Sequence, residues 1–94
     1  MRWALDGMKL EVHLAQTHAN NPEEYDAYIK VLKFGYLCLR DGEFIVSYPD
    51  KRGKVVYMAS PRGRGQFFED EREYYLEQAK EALLKWHHRK RYLE

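Results

Sequence analysis

The period of apolar and polar positions along this chain changes once, from about two before residue 66 to a helical period after it. Glu43 to Tyr48 and Lys54 to Ser60 are the clearest strands, and Pro49-Asp50-Lys51-Arg52-Gly53 between them suits a hairpin loop. Upstream, Arg40-Asp41-Gly42-Glu43 is a strong turn between apolar runs. Met8 to Ala15 alternates more weakly, with Leu10, Val12 and Leu14 on one side, and predicts a first strand behind an Asp6-Gly7 turn. Trp3 and Leu5 fit either a short earlier strand or loose packing. His18 to Glu24 is rich in turn formers and reads as a break. Tyr25 to Arg40 supports two readings. Asn21 followed by Pro22, Glu23 and Glu24 has the form of a helix start, whereas Tyr28-Ile29-Lys30-Val31-Leu32-Lys33-Phe34 is β-branched and aromatic and halts at Gly35.

From about Gln66 the period is helical. Leu76, Ala79, Leu83 and Trp86 recur at steps of three and four, with Tyr75 and Ala82 widening the stripe. Glu69, Asp70, Glu71 and Glu73 open this helix and Lys85, Arg89, Lys90 and Arg91 close it, an arrangement that complements the helix dipole at both ends. Pro61-Arg62-Gly63-Arg64-Gly65 before it reads as a flexible basic connector. The expected fold is α+β: a small, mainly antiparallel β-sheet packed by one long C-terminal amphipathic α-helix. Residues 1–92 form a single domain, and Leu93-Glu94 resembles the junction left between an insert and a C-terminal affinity tag.

Composition narrows the functional classes. Ninety-four residues, 45% apolar and 33% charged, make one ordered domain with one core. The net charge of +1 conceals a polarity: residues 1–50 hold five Lys/Arg against eight Asp/Glu, and residues 51–94 hold eleven against seven. One basic face is therefore compatible with a near-neutral whole. Cys38 is the only cysteine, which excludes an internal disulfide and makes a reducing, cytoplasmic setting the default. No apolar run approaches the length of a membrane span.

The basic tail Lys85-Trp86-His87-His88-Arg89-Lys90-Arg91 is the strongest functional feature, because phosphate binding needs clustered bases on a stiff element and aromatics beside them can stack on nucleobases. The same bases also serve a purely structural end, stabilising a helix C-terminus by about 0.3–1 kcal/mol each. Lys51, Arg52 and Lys54 in the hairpin and Arg62 and Arg64 in the connector form two further basic clusters. Metal binding finds no support, since His13 and His18 are five apart, His87 and His88 are adjacent, and neither spacing converges on one helical face. Nor does any Ser, Cys or His fall in a catalytic motif, and Arg62-Gly63-Arg64-Gly65 lacks the Lys-Ser/Thr of a phosphate-binding loop.

Phe44-Ile45-Val46-Ser47-Tyr48-Pro49-Asp50-Lys51-Arg52 followed by Met58-Ala59-Ser60-Pro61 and an acid-led helix resembles the SpoVG family of small bacterial regulators. Ala27-Tyr28-Ile29-Lys30-Val31 is similar to that family's second strand and Leu10-Glu11-Val12 to its first. Here the hairpin loop is shorter, Tyr57 replaces an Asp, and Arg62 to Phe68 lengthens the link to the helix. The resemblance implies a sheet with a C-terminal helix, dimerisation through sheet edges, and DNA or RNA binding without enzymatic activity, with binding determinants near the helix end. Together with the β-branched residues it makes strand the preferred reading of Tyr25 to Arg40.

The expected function is thus a non-enzymatic, cytoplasmic nucleic-acid-binding regulator, a homodimer that needs no cofactor. Lys85, Arg89, Lys90 and Arg91 would contact phosphates from the helix end, and Lys51, Arg52, Arg62 and Arg64 from the hairpin side. The alternative is a protein–protein interaction module, of phage or viral derivation, that meets its partner through a surface containing Tyr25, Tyr28, Tyr74 and Tyr75.

Overall fold

Five antiparallel strands in the order β1-β2-β3-β4-β5 form one meandering sheet, and a single helix packs across one of its faces. The structure, a computed structural model, describes residues 11–93 and the side chains of residues 11–89. The elements are β1 (His13–Ala19), β2 (Glu23–Ile29), β3 (Leu32–Arg40), β4 (Glu43–Tyr48), β5 (Lys54–Ala59) and α1 (Glu69–Leu93). The α+β expectation holds, as do the fourth and fifth strands and the turn between the third and fourth. Asp41 and Gly42 both take positive φ there, at 50° and 81°, the geometry that matches strand twist in a two-residue hairpin.

Three boundaries differ from expectation. The first strand lies later than the expected Met8 to Ala15: residues 11 and 12 precede it, and it continues through His18 and Ala19, which pair with Glu24 and Glu23. At the sheet margin most of its side chains are exposed, so polar residues such as Gln16 and His18 belong to it and the alternation is lost. Trp3, Leu5, the Asp6-Gly7 turn and the stretch from Met8 to Leu10 lie outside the described residues. Tyr25 to Arg40 is strand, as preferred, but it divides into parts of two strands at Lys30-Val31, where Ile29 pairs with Leu32, and not at Gly35. Lys30 adopts φ of 57°, a conformation that normally attracts Gly or Asn, so this turn carries no residue signal. Gly35, expected to end a run, sits inside β3. The helix begins at Glu69 rather than near Gln66, because Phe67 is buried in the core and Phe68 acts as the cap.

The core lies between the helix-facing side of the sheet and the Ala79–Leu83 stripe of α1. Ala27, Phe34, Leu37, Leu39, Phe44 and Val46 line the sheet side. Phe44 is central, with its ring 5.0 Å from Phe67, 6.1 Å from Tyr57 and 6.2 Å from Tyr75 in edge-on arrangements. Gly35 allows Leu83 of the helix to pack closely on the sheet, since a Cβ there would lie 2.5 and 2.6 Å from the Leu83 methyls. Gly35→Ala is accordingly expected to cost about 1–3 kcal/mol. The cost should shrink in a Leu83→Ala background; urea titrations showing equal cost in both backgrounds would assign it to another cause.

Residues 62–68 are not a flexible connector. They strap across the end of the sheet that carries the β1–β2 and β3–β4 turns: Asn21 N–H donates to Gly65 O (2.7 Å) and Gly42 N–H to Arg64 O (2.6 Å). A Cβ on Gly65 would come within 2.6 Å of Asn21, so glycine serves close packing here rather than freedom. Glu71 completes the strap by accepting the N–H groups of Arg62 (2.9 Å), Gly63 (2.8 Å) and Phe68 (3.0 Å). The bond to Phe68 is the N3-to-N-cap half of a capping box.

Candidate nucleic-acid interface

The strap places the basic clusters at opposite ends of the molecule. Arg62 pairs with Asp70 and with Glu71 (3.5 Å), and its guanidinium lies 4.9 Å from the Phe68 ring centre. Arg64 folds beneath Gly42 and donates to Asp41 O at 3.4 Å. Both side chains hold the strap to the helix start and the β3–β4 turn. The helix C-terminus and the β4–β5 loop, which carry the other bases, meet at the far end.

That second end is anchored by His87, whose ring packs 5.4 Å from Phe34 and whose Nδ1 lies 3.0 Å from the Tyr48 hydroxyl. Opposite Tyr48 in the ladder stands Lys54, so its side chain emerges on the helix side of the sheet. Its Nζ is 5.0 Å from the centre of the Trp86 ring, and the Arg89 guanidinium is 5.2 Å from the same centre. Two cations from separate elements therefore converge on one half-buried indole. Lys85 lies beside it, lining a groove of about 270 Å³ between β5 and α1. Arg52 is exposed at the loop tip, where Asp50 Oδ1 accepts its backbone N–H at 3.0 Å. The helix backbone carries Lys90 and Arg91 past this point, and their side chains lie outside the described residues.

Lys51 parts from this group. It turns to the opposite face of the sheet, where its Nζ is 5.7 Å from the Tyr36 ring centre and it lines a cavity of about 400 Å³ with Arg40, Asp41 and Glu43. Tyr36 donates its hydroxyl to Glu24 on that face. Burial first, and then this carboxylate, push the hydroxyl well above its ordinary range, so it remains a donor. The mixed charges make this face a poor phosphate surface.

Electrostatics separates the two ends. Across residues 52–54 and 85–91 the sequence carries six Lys/Arg and no acid, and Glu81, one turn before Lys85, lines the groove beside them. Among the described residues, Lys54, Lys85 and Arg89 form no ion pair. At the strap end the bases are compensated: Arg62 by Asp70 and Glu71, and Arg72 by Glu23 and Glu69. Of the eight bases singled out in the sequence, Lys85, Arg89 and Arg52 share one end with the helix positions of Lys90 and Arg91, while Lys51, Arg62 and Arg64 lie elsewhere. The sequence put Trp86 both in the apolar stripe and in the basic tail, and named Lys54 in the hairpin cluster without giving it a phosphate contact. The clue to Lys54 is the ladder register, which is not written in composition.

Tyr25, Tyr28, Tyr74 and Tyr75 do not share one exposed patch: Tyr75 is half-buried, with its ring stacked 5.7 Å from Phe67. Tyr25 is buried and donates to Glu23, Tyr28 lies on the sheet face away from the helix, and Tyr74 stands exposed on α1. No group of metal-ligating side chains occurs among the described residues, and no helix there is long and apolar enough to cross a membrane.

No protein family, curated protein or solved structure matches this chain.

Proposed function

We propose that this protein is a cytoplasmic nucleic-acid-binding regulator without enzymatic activity, and that its binding surface is the Trp86 end. The observation that carries this reading is the convergence of Lys54 and Arg89 on Trp86, with both cations and neighbouring Lys85 exposed and free of ion pairs among the described residues. Uncompensated bases on a rigid helix–hairpin junction are what displacement of counterions from phosphates requires, and an indole among them adds a surface for stacking. The resemblance of residues 44–61 to SpoVG regulators points the same way. Arg52 is assigned to the same binding role, as are Lys90 and Arg91 from their sequence positions on the helix, whereas Arg62 and Arg64 are assigned to structure. Two copies paired along an exposed sheet edge would present two such ends, in keeping with a homodimer.

Fluorescence anisotropy with labelled single-stranded and duplex DNA and RNA at about 50 mM salt tests the proposal. Binding to at least one of these ligands is expected, weakening steeply by about 200 mM. Absence of binding to all four at the lower salt would contradict it.

A further inference from the structure

The groove beside Trp86 has a chemistry of its own. The β4–β5 bulge between Val46 and Ser47 shifts the register so that consecutive residues Val56 and Tyr57 both line it from β5. Ala82 opens its helix side, and Trp86 and Lys85 stand at the end nearest the bases. Its volume of about 270 Å³ falls below the roughly 300–1,000 Å³ of clefts that hold drug-sized ligands. One planar ring system fits it, and a duplex does not. Two polar side chains, Gln78 and Glu81, complete the lining from one flank of α1. Glu81 is exposed and makes no ion pair among the described residues.

A carboxylate inside a basic surface rejects phosphate but accepts paired N–H donors. Among the nucleobases, guanine alone offers two adjacent donors on its Watson–Crick edge, N1–H and the N2 amino group. That edge matches the two oxygens of a carboxylate, and O6 beside it accepts from a side-chain amide. We infer that the groove receives a single unpaired guanine of a single-stranded nucleic acid, with Glu81 on N1–H and N2–H, Gln78 on O6, and Lys54, Lys85 and Arg89 on the flanking phosphates. This rests on the nucleic-acid reading above and adds strandedness and base preference to it. The apolar and aromatic walls supply the sequence-tolerant part of the affinity, and Glu81 supplies the discrimination.

Anisotropy titrations with fluorescein-labelled dT10, the same oligomer with one central guanine, and the same with inosine in its place test the inference. DNA and RNA versions tell which sugar is preferred. The guanine oligomer is expected to bind about five- to a hundredfold more tightly than dT10, the range for one bidentate base contact. Inosine, which lacks the N2 amino group, should lose much of that gain. Glu81→Gln should remove the guanine preference while leaving dT10 affinity equal or higher, since it deletes one negative charge. Annealing the complementary strand should also abolish the preference. Binding without guanine preference, or a preference that survives Glu81→Gln, would overturn this inference and leave the nucleic-acid reading standing. No binding to any oligomer would overturn both.

Discussion

Arg72→Ala is expected to lower the free energy of unfolding by about 3 kcal/mol, the lower end of the cost of stripping one partner from a buried ion pair, because Arg72 itself is only partly buried. Glu23 is fully buried, with 0% of its surface exposed. Its Oε2 accepts from Arg72 Nε at 2.9 Å and from the Tyr25 hydroxyl, and its Oε1 accepts from Phe67 N–H at 2.9 Å and from the second guanidinium nitrogen at 3.2 Å. Removal of Arg72 leaves a carboxylate inside the protein with two neutral donors and no countercharge. Arg72→Lys should fall between wild type and alanine, since it keeps the charge but loses the planar fork. Glu77→Ala, which deletes an exposed pair with Lys80, should change stability by less than about 1 kcal/mol.

The same network sets the acid response. Burial pushes the Glu23 carboxyl upward, but Arg72, Tyr25 and the Phe67 amide together hold it below its ordinary value of 4.5. Burial likewise opposes ionisation of Glu71, and the amides of Phe68, Arg62 and Gly63 outweigh it, so this carboxyl too lies below 4.5. Both folded values are depressed, so the unfolded chain binds these protons first. The stabilisation is fully present above about pH 4.5 and is lost as pH falls through the folded values. Urea midpoints should therefore be insensitive to these two groups near neutrality and decline below pH 4.5. In Arg72→Ala the Glu23 carboxyl loses its depression, so its share of the decline should shrink or reverse as pH falls; an unchanged decline would show that Arg72 does not hold the carboxylate ionised.

The second large effect is on binding. Lys54→Glu combined with Arg89→Glu is expected to weaken nucleic-acid affinity by about a hundredfold at low salt, as two phosphate contacts become two repulsions. Folding should survive, because both side chains are exposed and each cation–π contact contributes only about 0.5–1 kcal/mol. Arg64→Gln, at the strap end, should leave affinity within about twofold, since Arg64 is engaged with Gly42 and Asp41 and is distant from Trp86. Comparable losses from both variants would place the surface elsewhere.

The α+β class, the β4–β5 hairpin and the helix were legible because each has a local signature: alternation, Asp41-Gly42, and a charge-polarised stripe of period near 3.6. The Lys30-Val31 turn was not, because a positive φ at Lys30 is imposed by strand pairing rather than announced by Gly or Asn. The strap was hidden for a related reason. Arg62 and Arg64 look like any other bases until Asp70, Glu71 and the β3–β4 turn are seen around them. Glu23 and Arg72, 49 residues apart, gave no hint of one another. The candidate site was half visible. Charge marked the helix tail and the hairpin, but only the Tyr48–Lys54 pairing shows which hairpin base reaches Trp86.

The proposal that phosphates bind at the Trp86 end has its sharpest test in the slope of log affinity against log salt. With a single-stranded oligonucleotide, wild type should show a clear negative slope, and Lys54→Ala/Lys85→Ala/Arg89→Ala should reduce its magnitude by about two, near 0.7 per contact removed. A flat wild-type slope, or a slope that the triple variant leaves unchanged, would contradict the claim.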